Sequence, residues 1–134
     1  MMRTVLLLAV VLLSSACSTA AVSSPIEFRR SGGIAGLNDV LTIDAQGHAT
    51  LVRRTGKYEF DLSADERNRL ASALRNAGWA SIPEDSMRKP LVPDEISYVV
   101  VYQNHTVKTS DTAMPDQLRP VVVSFNELTD RYGR

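Results

Sequence analysis

The side chains of this chain with most scope for chemistry are two histidines, His48 and His105, two adjacent acid pairs, Glu84-Asp85 and Asp94-Glu95, and a single cysteine, Cys17. Histidines and acids act on a substrate or hold a metal only when partners recur at set spacings, as in the two-histidine zinc helix, the serine nucleophile elbow or the aspartate-rich calcium loop. The chain has none of these patterns. Both histidines stand beside predicted turns, where a solvated imidazole without ligand partners is expected. The acid pairs lie in a proline-rich stretch, whereas an acid/base couple needs one carboxyl shielded from water. We therefore expect no enzyme, and assign no catalytic residue, no metal ligand and no cofactor.

Cys17 stands in a different context. Arg3 leads into the nine-residue apolar run Val5 to Leu13, and Leu13-Ser14-Ser15-Ala16 precedes the cysteine. A basic start, a short apolar core and small residues at a cut site make an export signal. The run is well short of the roughly 20 residues of a permanent membrane span. The segment resembles a bacterial lipoprotein signal, although Leu13 stands one step earlier than the usual leucine and Ser14 takes its place. That resemblance implies cleavage before Cys17 and a diacylglycerol thioether on its sulfur. The expected organisation is a signal over residues 1–16, a lipidated cysteine and short tether over 17–24, and one domain over 25–134. The expected location is the cell envelope, facing the extracytoplasmic side. With Ser18 rather than Asp after the cysteine, the outer membrane is expected if the host has two.

Arg3 is the only charged residue before Cys17, so the mature chain carries 14 basic and 15 acidic side chains, a net charge of −1. Near neutrality gives no case for nucleic acid or for polybasic lipid binding. The remaining 118 residues can bury enough apolar surface to fold without disulfides. Ser18 to Ser24 is small and polar, and reads as a tether reaching about 25 Å at 3.3–3.6 Å per residue.

The elements that must position any site follow from periodicity. Ile26 to Arg30 alternates apolar with charged and reads as a strand, followed by a loop over Ser31 to Gly36. Val40–Ile43 and Ala49–Arg53 flank a turn at Asp44 to Gly47 and read as a hairpin. Lys57 to Leu62 is a fourth strand or an extension of the third. Ser63 and Glu66 have capping-box spacing, and Leu70, Ala73, Leu74 and Ala77 give the helix over 64–77 one apolar face, with Gly78 as its stop. Pro83 to Asp94 is a loop. Ile96–Tyr102 is the run most prone to extended structure, and Gln103-Asn104 turns it into His105–Thr109. Leu118, Val121, Val122, Phe125, Leu128 and Tyr132 recur at helical spacing, with Pro120 tolerable near the helix start. The predicted fold is α+β: a mostly antiparallel sheet of five or six strands with two helices on one face. Arg29-Arg30 and Arg53-Arg54 are expected to form a basic stripe on the exposed sheet face.

The run Phe28-Arg29-Arg30-Ser31-Gly32-Gly33-Ile34-Ala35-Gly36, followed by strand, turn and strand, resembles the opening of the emfourin family. The resemblance continues through Asp61-Leu62-Ser63, Tyr98 to Tyr102, His105-Thr106-Val107, and Asp111 with Pro115 and Leu118. Emfourins are bacterial protein inhibitors of thermolysin-like (M4) metallopeptidases such as protealysin. Two departures stand out: the lipoprotein signal, and Ile34 where an aromatic residue is common in the family. The resemblance implies an extracytoplasmic M4-type metallopeptidase as partner, with Ile34 entering a pocket that favours large aliphatic or aromatic side chains.

Three glycines within five residues leave little side chain to pack at Ser31, Gly32, Gly33, Ile34, Ala35 and Gly36. They serve either a tight connection needing positive φ or a protruding loop whose apolar tip meets a partner while its backbone pairs with an extended edge. Phosphate binding is excluded because no Lys-Ser/Thr follows the glycines. The expected function is that of a membrane-anchored protein-binding domain inhibiting a protease without covalent chemistry. An envelope interaction or assembly module with no protease target is the competing expectation, and a small-ligand carrier the third.

Overall fold

In a computed structural model of the chain, the described residues are Val22 and 24–134. The segment expected to be an export signal and Cys17 lie outside them.

Six strands form one antiparallel sheet: β1 (Ile26–Gly32), β2 (Leu37–Ile43), β3 (His48–Arg53), β4 (Gly56–Asp61), β5 (Ile96–Tyr102) and β6 (His105–Ser110), in the order β4-β3-β2-β1-β5-β6. The central strand β1 pairs with β2, Ile26 opposite Ile43, and with β5, Ile26 opposite Tyr102. Two helices, α1 (Ala64–Asn76) and α2 (Arg119–Tyr132), complete an α+β fold. Residues of one parity along the strands, Ile26 and Phe28, Leu41 and Ile43, Ala49 and Leu51, Tyr98 and Val100, are buried in one cluster with Leu70 and Leu74 of α1 and Val121, Val122 and Phe125 of α2. Successive side chains of a strand point to opposite faces, so both helices cover the same face. Phe28 is central, its ring stacked on Phe125 at 4.8 Å and Tyr98 at 5.9 Å between centroids.

Each helix starts for a local reason. The Ser63 hydroxyl accepts from the Glu66 amide at 3.2 Å, and the Glu66 carboxylate accepts from the Ser63 amide at 2.8 Å. This reciprocal cap is worth on the order of 1 kcal/mol. Gly78, at φ 63°, ends the first helical segment in the left-handed region. Pro120 sits in the first turn of α2, where its missing amide forfeits no helical bond.

The structure departs from the sequence expectations in several places. The second strand begins at Leu37 rather than Val40; of the two readings for Lys57 to Leu62, the structure has the fourth strand, Gly56–Asp61, joined to the third by a turn at Arg54-Thr55. Val22, placed in the polar tether, is only 2% exposed and belongs to the core cluster. Arg30 and Arg53 leave the expected basic stripe because their parity places them on the helix-covered face. His105 is half-buried with its ring over Trp79 at 5.9 Å, rather than solvated.

Candidate functional site

The glycine segment is the connection between β1 and β2. Ser31 and Gly32, expected in the loop, are the last paired residues of β1, opposite Asn38 and Leu37 on one side and Ser97 and Ile96 on the other. The turn is Gly33-Ile34-Ala35-Gly36, closed by the Gly36 amide donating to the Gly33 carbonyl at 3.0 Å. Gly32, Gly33 and Gly36 have φ of 90°, 71° and 57°, a region costly for residues with a Cβ. Ile34, between them, is 92% exposed. An aliphatic side chain this exposed gains nothing from folding.

A neighbouring segment braces the turn. The Gly33 amide donates to the Glu95 carbonyl at 3.2 Å, and a Cβ on Gly32 would stand 2.8 Å from that same oxygen. The Glu95 carboxylate in turn accepts from the Thr112 amide at 2.6 Å and from the Thr112 hydroxyl. Those two bonds, the hydroxyl first, hold Glu95 below the usual carboxylate range. Asp111 donates its amide to Ile96 and accepts from the Tyr98 hydroxyl at 2.7 Å. Burial and this carboxylate push the Tyr98 hydroxyl up to about 12. The amides of Gly33 and Gly36 are thus already taken, so these two do not pair with a partner's edge. The tip offers a side chain.

Two residues further in, charges are withdrawn from water. Arg30, its side chain 7% exposed, donates to Asp39 at 2.7 Å, to Asn126 at 3.0 Å and to Asp130 at 2.7 Å. Arg53 donates to the other oxygen of Asp39 at 3.1 Å and to the Gly133 carbonyl at 2.7 Å. Burial opposes the Arg30 charge, yet Asp130 and Asp39 hold its pKa above the ordinary value. The network joins β1, β2 and β3 to the C-terminal end of α2, directly behind the hairpin. A second buried acid, Glu66, joins the helices through Arg131 and the Tyr132 hydroxyl.

Leu91 and Val92, 67% and 40% exposed, lie in the loop that enters β5 through Glu95. Both fall in the loop expected over Pro83 to Asp94, where no apolar periodicity marks them. Periodicity could not reveal that Glu95 braces the hairpin, because the bracing atom is a backbone carbonyl. The other candidate groups stay apart. His48 is half-exposed and bonds Asp61 at 2.9 Å, which raises its pKa. Glu84 and Asp85 lie on the outer edge of β6, where the Lys108 amide donates to the Glu84 carbonyl. Among the described residues, no three metal-ligating side chains converge and no helix is long and apolar enough to cross a membrane. No protein-family model matches the chain, and no curated protein does.

Proposed function

We propose that this chain is an envelope-anchored, emfourin-like domain that binds an extracytoplasmic thermolysin-like metallopeptidase and blocks it sterically. Ile34 plugs a side-chain pocket of the partner, and lipid on Cys17 holds the domain at the membrane. The observation that carries this reading is the braced, outward hairpin with Ile34 at its tip. A rigid tip loses little conformational entropy when it docks, so more of the contact energy appears as affinity.

Recombinant residues 18–134 should slow peptide cleavage by thermolysin-like enzymes, and Ile34→Asp should remove the effect while leaving the thermal unfolding curve in place. No inhibition by the unmodified domain at up to roughly 50 μM, across several such enzymes, rejects the inhibitor reading. Stable copurification with envelope proteins and unaltered protease activity would then mark an interaction module built on the same tip.

A further inference from the structure

The strand directions put the end of the sheet at which the chain enters β1 opposite the hairpin. β1 runs from Ile26, beside the start of the described chain, to Gly32 at the hairpin. The turns at Asp44–Gly47 and Gln103-Asn104 share the Ile26 end, since Ile43 and Tyr102 are both opposite Ile26. At about 3.3 Å per residue, the six steps of β1 put its two ends roughly 20 Å apart.

The burial of Val22 makes this polarity matter. A free tether of seven residues would let the domain tumble well above the bilayer. Val22 is part of the core, so the leash runs only from Cys17 to Val22, five steps spanning at most about 18 Å. That is shorter than the distance from Ile26 to the tip.

We propose that the lipid anchor holds the Ile26 end of the sheet against the bilayer and presents the Ile34 hairpin away from it, toward proteins free in the extracytoplasmic space. This rests on lipidation of Cys17. The partner is then a protein approaching from solution, because one embedded in the same leaflet would have to reach past the body of the domain. Attachment by so short a leash also sets the height of the tip, so a longer leash loosens it.

The test uses the full chain, matured in a bacterial host and reconstituted in phospholipid vesicles carrying a headgroup-linked energy acceptor. Cys17 is the only cysteine and its sulfur is blocked by lipid, so one added cysteine takes a donor dye. Asn104→Cys and Ile34→Cys both alter exposed turn positions. Transfer is expected to be several-fold stronger from 104 than from 34, and the difference should shrink when about twelve Gly/Ser residues are inserted after Ser18. Equal transfer, or stronger transfer from 34, in a chain that floats with the vesicles overturns the orientation alone. Failure to float overturns the anchor and the orientation with it. Neither readout involves a protease, so the inhibitor reading is judged separately.

Discussion

At one end of the sheet an aliphatic side chain stands in water, while on the two strands that flank it, four and five residues away, an arginine and an aspartate are withdrawn from it. Ile34 and the Arg30–Asp39–Arg53 network invert the usual placement of apolar and charged groups. The inversions differ in kind. The buried charges are saturated by one another, by Asn126 and Asp130 and by a helix-end carbonyl, so they fix how α2 seats on the sheet. The exposed isoleucine is saturated by nothing within the chain. One region is structural and the other is available, and substitutions should separate them.

Breaking the network should have the largest effect on stability. Arg30→Ala leaves Asp39 buried with only Arg53, and Asn126 without its donor. Removing one partner of a buried pair costs about 3–5 kcal/mol, and retention of Arg53 places the expected loss near the lower figure. Urea unfolding should show this as a lower midpoint with an unchanged slope. A loss of under about 0.5 kcal/mol, the size of ordinary surface changes, would mean that the network does not seat the helix.

Gly32→Ala comes next. The added Cβ meets the Glu95 carbonyl at 2.8 Å, from a backbone at φ 90°. Strain of this kind costs on the order of 2 kcal/mol. The loss should be accompanied by weaker binding even after correction for the unfolded fraction, since the brace that orients Ile34 is displaced. A variant that unfolds earlier but binds as tightly per folded molecule would show the brace to be dispensable.

A smaller, pH-dependent effect should arise at the same brace. Glu95 is held below its ordinary value of 4.5 by the Thr112 hydroxyl and amide. The folded chain therefore keeps this carboxylate ionised to lower pH than the unfolded chain does. Its contribution is complete above about pH 4.5 and is lost as pH falls through the depressed folded value. The hydrogen-exchange protection factor of the Gly33 amide should decline over that window, and Glu95→Gln should flatten the decline. An equal decline in the Gln variant would assign it to another carboxylate, such as Glu66, which is also held low, against the effect of its burial, by Ser63, Tyr132 and Arg131.

Much of the architecture was legible because local chemistry and tertiary placement agree. Ser63 and Glu66 start α1 as their spacing requires, Gly78 stops it, and Pro120 falls where a proline does no harm to a helix. The inward arginines were legible only in part. Ile26, Phe28 and Arg30 share a parity, as do Ala49, Leu51 and Arg53, but charge argued for water and the partners that settle the matter lie 9 to 100 residues away. Val22 was hidden by its small polar neighbours. Of the site, composition showed the glycines and the apolar residue between them; the Glu95 brace is a backbone contact between distant segments and leaves no trace in residue type.

The smallest expected change in stability belongs to the residue given the largest part in binding. Ile34→Asp replaces a side chain already 92% exposed, so no core contact is lost and no cavity opens. A surface change of this sort shifts stability by about 0.5 kcal/mol or less. A carboxylate at the tip would have to be desolvated in an apolar pocket, at a cost that a neutral side chain does not incur. The variant should therefore unfold with the parent and fail to bind. Leu91→Asp, on the adjoining loop, should weaken binding less and likewise leave unfolding unmoved. If Ile34→Asp instead lowered the urea midpoint as far as Arg30→Ala, the tip would belong to the fold after all, and the contrast between the two regions would collapse.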